Sequence, residues 1–283
     1  MSYDIIAIDI DGTLTNDDKI ITPKTKDALL LAQKKGKKVA IASGRHPQGV
    51  IPYAKELQLD KFGGYLLCFN GGLVLEITEK GCKTLYSGEF PNEYIPVVCD
   101  VVRDSNITVN THTENMIIAD SKVNTYTSIE PDIIGLPFKQ VDNFEEYVDF
   151  PVYKLLLAGE PAEIDEYEEK LKKRLDGLVS IYKSAPYFLE VMPLGVTKGA
   201  SLHYILESMG LRSKNLIACG DSYNDITMIG YAGLGVAMSN APDDIKKTAD
   251  YVTLSNNDDG IALVVEKFML SDCKWIYRNI RNK

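Results

Sequence analysis

The chain of 283 residues contains no apolar run close to the ~20 residues that a membrane-spanning helix needs, which excludes a helical membrane protein. Its cysteines are few and scattered. Cys68, Cys82, Cys99, Cys219 and Cys273 form no C-x-x-C pair, so neither a disulfide framework nor a zinc site is expected, and they read as reduced thiols of a cytoplasmic protein. An excess of basic charge is missing as well. With 31 Lys and Arg against 40 Asp and Glu, the formal charge is −9, which argues against a general nucleic-acid binder with its basic patch. No internal repeat or low-complexity stretch is visible. A secretory leader is not expected either, because Asp4, Asp9 and Asp11 interrupt the first apolar stretch and no basic segment precedes it. What is present is ordinary globular material, 45% hydrophobic and 25% charged. At roughly 100–200 residues per domain, the length suits two domains or one large one.

Residues 3–10 form a short, nearly continuous apolar run rich in Ile, as in a strand buried on both faces of a parallel sheet. Thr22-Pro23 reads as an N-cap and first helical position, and that helix is expected to stop at Gly36. Further strands are predicted at 38–42 and 65–69, completing a doubly wound α/β rhythm. Between about residues 84 and 192 the rhythm changes to strand-like stretches at 107–110, 116–119, 152–158 and 188–192, with an acidic amphipathic helix near 164–175. That pattern predicts an inserted α+β module with an open antiparallel sheet. The α/β rhythm then resumes, with helices at 198–209 and 221–231 and strands at 215–219, 235–238 and 251–254. The expected organisation is a Rossmann-like core from 1–83 and 193–283, interrupted by an α+β cap over 84–192.

Ligands of open parallel sheets bind outside the carboxyl ends of the strands. Four segments there carry suggestive groups: Asp9-Ile10-Asp11-Gly12-Thr13, Ser43-Gly44-Arg45, the Lys198 segment, and Gly220-Asp221-Ser222-Tyr223-Asn224-Asp225. Two carboxylates crowded at a strand end raise one another's pKa unless a cation neutralises them. A set of oxygen ligands of this kind suits Mg²⁺. Ser43 with Gly44 offers a hydroxyl and backbone N–H groups to phosphate oxygens, and Lys198 offers a compact positive charge. Each alone reads as a turn or a surface lysine; their order between the aspartate motifs gives them specificity.

The series Asp-x-Asp-Gly-Thr-Leu, Ser-Gly-Arg, Val-Thr-Lys-Gly and Gly-Asp-x-x-Asn-Asp resembles the motifs of the haloacid dehalogenase superfamily. The insertion resembles that of its Cof-type phosphatases with a class IIB cap, and residues 183–190 and 231–241 resemble the YidA-like sugar phosphatases in particular. The resemblance implies that Asp9 is the nucleophile and Asp11 the general acid and base. Asp9, the Asp11 peptide carbonyl and Asp221 would be the ligands of Mg²⁺. Lys198, Ser43, Asn224 and the N–H groups of Ile10 and Gly44 would hold the phosphate, with Thr13 orienting the nucleophile loop. Asp225 is expected to support Lys198 or a metal-bound water, with direct ligation as the alternative. A dehalogenase would need neither Asp11 nor Asp221, and an aspartyl-phosphate pump would need membrane spans.

Around this centre Arg45 and Asn70, at core strand ends, are candidate substrate contacts. So are His112, weighed against a surface-loop histidine, and Glu190, while His46 and His203 read as structural. The acid-then-base order of the 164–175 helix fits a solvated helix and not an interaction patch. The basic tail from about Ser271, with Trp275, Arg278 and Arg281, reads as a loosely packed terminus. The expected partner is a small phosphorylated metabolite, with no nucleic acid or membrane, and the protein is expected as a monomer or homodimer in the cytosol. A sugar phosphomutase, a phosphatase of flavin mononucleotide or pyridoxal phosphate, and a non-catalytic metabolite-binding module are the alternatives.

Overall fold

The computed structural model describes residues 3–270; Cys273 and the tail from Ser271 lie outside the described residues. In chain order the strands are β1 (Ile5–Ile8), β2 (Lys38–Ala42), β3 (Gly64–Cys68), β4 (Leu73–Thr78) and β5 (Gly81–Ser87). There follow β6 (Thr108–His112), β7 (Ile117–Ala119), β8 (Phe138–Gln140), β9 (Leu155–Ala158), β10 (Val179–Ala185) and β11 (Phe188–Pro193). The last three are β12 (Leu216–Gly220), β13 (Leu234–Ala237) and β14 (Tyr251–Val252). They make two sheets, one of eight strands in the order β14-β13-β12-β1-β2-β3-β4-β5 and one of six in the order β10-β11-β9-β6-β7-β8.

In the larger sheet β14 through β3 run parallel, with β1 paired to β2 on one side and to β12 on the other. The unbroken apolar strands are explained by their two covered faces. Ile6, Ile8, Val39 and Ile41 point into one cluster beside the helices Pro23–Lys34 and Gly260–Val265, while Ile5, Ala7, Ala40 and Ala42 point into another beside the helix Lys198–Ser208. This is a doubly wound α/β core, closed at one edge by the antiparallel strands β4 and β5. Because β5 pairs with β4, the core sheet runs on through Ser87, past the change expected at residue 83.

The smaller sheet is the α+β cap. Its neighbours are antiparallel except β7 and β8, which run parallel. One face packs on the helices Ile95–Val101 and Pro161–Arg174 through Val109, Leu155, Leu157, Leu189 and Val191. The Pro161–Arg174 helix has Glu163 in its first turn, Lys172, Lys173 and Arg174 in its last, and ion pairs Glu166–Lys170 and Glu168–Lys172, as a solvated helix should.

Two expectations change in detail. The helix expected at 221–231 is a short 3₁₀ turn, Tyr223–Asp225, leading into the helix Ile226–Tyr231, because Asp225 Oδ2 accepts from the backbone N–H groups of both Asp221 and Ser222 at 3.0 Å. The helix Pro47–Glu56 was not foreseen; Pro52 lies inside it and masks its periodicity.

Lys198, at the start of its helix, meets Asp225, just before the helix Ile226–Tyr231, where these two helices touch closely. A Cβ added at Gly199 would lie 2.2 Å from the carbonyl oxygen of Thr227. Gly→Ala in an isolated helix stabilises by about 1 kcal/mol. Here Gly199→Ala is expected to destabilise by about 1–3 kcal/mol in urea unfolding, since a backbone atom must move. A gain in stability would contradict this packing.

Candidate active site

β1, β2, β3 and β12 end on the same edge of the core sheet, and there the chain delivers Asp9, Ser43, Asn70 and Asp221. The helix starting at Lys198, capped by Thr197 accepting from the Ala200 N–H, adds its first side chain from outside the sheet. Lys198 Nζ lies 2.6 Å from both Asp9 Oδ1 and Asp225 Oδ1, with all three residues buried. Their ion pairs hold the ammonium charged despite burial, raising the Lys198 pKa. One lysine does not balance this centre, because Asp9, Asp221 and Asp225 can bring ligand oxygens within 4.8 Å of one another. Burial, outweighing Lys198 and reinforced by Asp225 and Asp221, pushes the Asp9 carboxyl well above its ordinary range. Burial likewise lifts Asp221 to about 6, against the hydrogen bond from Thr13.

Three acids answered by one base form a site that fits a hard divalent cation. Within it the carboxylates are not equivalent. Asp225 spends one oxygen on Lys198 and the other on two backbone N–H groups, so it supports the lysine. Asp221 accepts from Thr13 Oγ1 at 2.8 Å and is otherwise turned toward the loop after β1. Gly12 makes that approach possible. Its φ is +79°, and a Cβ there would lie 2.4 Å from Asp221 Oδ2. The loop folds tightly on itself, with Leu14 N–H donating to Asp9 O and Thr15 N–H to Ile10 O.

Asp11 lies outside the acidic cluster. Its carboxylate receives Arg45 Nε at 2.9 Å and Nη2 at 2.7 Å, a two-pronged pair, and Lys19 Nζ at 2.9 Å. Partial burial would raise its pKa, but Arg45 and Lys19 outweigh it and hold the carboxyl below the ordinary value. Arg45 is thereby committed to Asp11 and does not line the cleft. Ser43 is buried, and its Oγ accepts from the Arg45 N–H at 3.2 Å.

Asn70 does reach the cleft, a space of about 290 Å³ whose walls include Asn70, Lys198 and Asn224 from the core and Tyr182 and Ser184 from the cap. Phe69 and Asn70 both adopt left-handed backbone, with φ of 50° and 53°. This geometry aims the Asn70 amide across Gly44, where a Cβ would stand 3.1 Å from it. It also sends the Phe69 ring against Tyr153 of the cap, centroids 4.9 Å apart.

His112 is not in a loop. It is buried at the end of β6, with Nε2 3.1 Å from Glu130 Oε1 and its ring near Phe69 and His46. Glu190, on β11, pairs with Lys154 at 3.1 Å and accepts from Ser184 Oγ at 3.0 Å. Lys154 also pairs with Glu130, so Glu130, Lys154, Glu190 and His112 form a buried charged group behind the cap wall of the cleft. Neither His112 nor Glu190 lines the cleft; Glu190 meets it through Ser184. Of the participants that the sequence reading missed, Lys154 left one signal, a lone cation in the apolar stretch 152–158.

The chain matches the family of haloacid dehalogenase-like hydrolases over residues 6–265. It belongs to that family. This hydrolase is 32% identical over 266 residues to the 5-amino-6-(5-phospho-D-ribitylamino)uracil phosphatase YcsE of Bacillus subtilis, covering 94% of this chain and 96% of that one. A haloacid dehalogenase-like hydrolase from Bacteroides thetaiotaomicron superimposes with a TM-score of 0.87 at 36% identity, over 94% of this chain and 99% of that one. The subclass IIB sugar phosphatase BT4131 superimposes with a TM-score of 0.78 at 26% identity, over 93% and 98%. Among the described residues no helix is long and apolar enough to cross a membrane, and Cys68, Cys82, Cys99 and Cys219 are free thiols.

His46 has the structural role expected of it. Its Nδ1 accepts from the Gln48 N–H at 3.1 Å and caps the Pro47–Glu56 helix, which leaves Nε2 to donate to Thr113 O of the cap at 3.1 Å. Burial and the neighbouring His112 lower its pKa to about 4. A basic group depressed on folding stabilises the protein in its neutral form, so its contribution is complete above pH ~6.5 and fades as pH falls toward about 4. His46→Asn keeps a capping oxygen without a titrating ring. The wild type should therefore lose about 2 kcal/mol more unfolding free energy than His46→Asn between pH 7 and about pH 4 in urea titrations. Parallel pH profiles would remove this assignment.

Proposed function

We propose that this hydrolase is a Mg²⁺-dependent phosphatase that hydrolyses phosphomonoesters of small metabolites, sugar phosphates foremost, through an aspartyl-phosphate on Asp9. The observation that carries the reading is the buried Asp9–Lys198–Asp225 triplet beside Asp221, a centre that gathers an acidic nucleophile, a phosphate-attracting cation and an excess of oxygen ligands at one sheet edge.

Asp9, Asp221 and the peptide carbonyl of Asp11 would hold Mg²⁺, whose charge offsets that of the phosphoryl oxygens. Asp9 attacks phosphorus as the ester oxygen leaves, and water then cleaves the acyl phosphate and regenerates the carboxylate. Asp11 serves the leaving oxygen as acid and the water as base. Held by Arg45 and Lys19 it stands ready in the basic form, so protonating the leaving group requires the substrate to loosen those contacts. Lys198, Ser43, Asn224 and the N–H groups of Ile10 and Gly44 surround the phosphate. Thr13 steadies Asp221, and Asp225 steadies Lys198.

The cap, beginning after β5 and ending with β11, covers the cleft and meets the leaving group. Sugar phosphates are favoured because the cleft presents hydroxyl and amide groups from Asn70, Tyr182 and Ser184, which suit a polyhydroxylated leaving group. The names of BT4131 and YcsE, a sugar phosphatase and a ribitylaminouracil phosphatase, point the same way.

The test is release of inorganic phosphate from a panel of phosphorylated metabolites with Mg²⁺, ranked by kcat/KM. Chelation with EDTA should abolish release and added Mg²⁺ restore it. Asp9→Asn should lower kcat by about a thousandfold or more. Equal turnover by the variant, or conversion of a sugar 1-phosphate to a 6-phosphate without phosphate release, would overturn the reading.

A further inference from the structure

The loop after β1 carries Asp11 next to Gly12 and ahead of a turn that returns Lys19 to the Asp11 carboxylate. An acid must stand within hydrogen-bond reach of the oxygen it protonates, and a misplacement of about 1 Å can cost roughly a hundredfold in rate. What fixes this loop comes from far along the chain. Asn240 follows β13, and Asn256 and Asn257 follow β14, the two strands outside β12 in the core sheet.

Asn256 Nδ2 donates to Thr15 O at 3.1 Å and to Asp17 Oδ1 at 3.0 Å. Asn257 closes a ring on the same aspartate, its Nδ2 donating to Asp17 Oδ2 at 3.0 Å and its Oδ1 accepting from the Asp17 N–H at 3.1 Å. Asn240 Nδ2 donates to Gly12 O at 2.9 Å, and its Oδ1 accepts from the Asn256 N–H at 3.1 Å. The partners dictate the direction of each amide, since a peptide carbonyl and a carboxylate only accept and a peptide N–H only donates.

Thr15, fully buried, forms an isolated β-bridge with Asp11, so a grip on Thr15 is passed to the Asp11 backbone. The grip is itself anchored. Asn256 is buried, Thr253 Oγ1 donates to Gly260 O at 2.8 Å across the same turn, and Asp259 accepts from the Thr22 and Thr25 hydroxyls where the helix Pro23–Lys34 begins. None of the three amides bonds to the Asp11 side chain. They can therefore hold the loop while the Asp11 carboxylate exchanges Arg45 and Lys19 for a leaving oxygen.

We propose that Asn256, seconded by Asn240 and Asn257, is a positioning residue for Asp11, pinning the loop backbone so that the carboxyl group meets the leaving oxygen of the substrate. This rests on Asp11 being the general acid. Its effect depends on the leaving group: a sugar alkoxide is a strong base that departs only as it is protonated, whereas nitrophenolate is a weak base that departs unaided.

The ratio kcat/KM covers the steps up to loss of the leaving group, and so separates the acid role from the later attack of water. It is measured with Mg²⁺ for p-nitrophenyl phosphate and for the sugar phosphate turned over fastest in the panel, in wild type, Asp11→Asn, Asn256→Ala and the double variant. Asp11→Asn should lose about a hundredfold or more on the sugar phosphate and far less on the aryl ester. Asn256→Ala should lose roughly ten- to a hundredfold on the first and less than about threefold on the second. Both substrates meet the same preparation, so a smaller folded fraction cancels between them. Asn257→Ala, at an exposed position, should discriminate in the same direction by less. In the double variant the loss of Asn256 should add nothing on the sugar phosphate. Inhibition by inorganic phosphate should stay as in the wild type. Equal losses on the two substrates in Asn256→Ala, with Asp11→Asn still discriminating, would leave Asn256 a merely structural residue and the acid reading intact. If Asp11→Asn itself loses equally on both, or if no sugar phosphate is hydrolysed, the reading of Asp11 fails first and takes the positioning role with it.

Discussion

Two buried carboxylates, a half-buried third and one buried ammonium group crowd together at the edge of the core sheet, and much of the surrounding structure follows from keeping that arrangement in place. An isolated buried charge costs several kcal/mol, so each group here is answered by a neighbour at hydrogen-bond distance. Lys198 bridges Asp9 and Asp225, Asp225 is pinned by two backbone N–H groups, and Thr13 holds Asp221. The glycines at 12 and 199 exist where another group must pass too close for a Cβ. What remains is negative charge in excess of the lysine. That remainder is what makes the site fit a hard divalent cation, whatever the field of the net −9 outside.

The cap repeats the theme in a different setting. Glu130, from the helix Ile129–Ile134, is buried with Lys154, Glu190 and His112 on the side of the cap sheet away from the helices Ile95–Val101 and Pro161–Arg174. Burial would raise Glu130, yet His112 and Lys154 hold it down at about 2. Removing one member of such a group leaves the others uncompensated, so the wall of the cleft is specified by charge as well as by packing. Ser184 carries that constraint to the cleft surface through its bond to Glu190.

The parts of this architecture legible in the sequence were those written in short, local patterns. The Ile-rich run before Asp9 announces a strand covered on both faces, and the aspartate, Ser-Gly and Gly-Asp motifs mark the strand ends where the site assembles. What escaped was decided by contacts between distant segments. Arg45 looks available for substrate until the fold sets it against Asp11, 34 positions away. His112 looks like a loop residue until β6 pairs with β7 and β9 and buries it. Tyr182 joins Asn70 across 112 positions, a meeting to which no spacing in either segment refers. The change from core to cap was displaced because β5 is a largely exposed edge strand with no buried side chain to mark it as part of the core.

The insertion also has a bearing on how the chain is made. β1 is the central strand of the core, but one of its two neighbours, β12, begins at residue 216, after the entire cap. A nascent chain can pair β1 with β2 and β3 early. The other edge of β1, apolar and ready to accept a strand, stays open until the final third has been synthesised. Long-range parallel pairing of this kind is slow, and unpaired strand edges invite association with other chains. The cap sheet, by contrast, is built from a continuous stretch of sequence and can form while β12 is still awaited. The order of synthesis therefore places the lid before the vessel it covers, and leaves the Asp9 loop after β1 as one of the last places to acquire its partners.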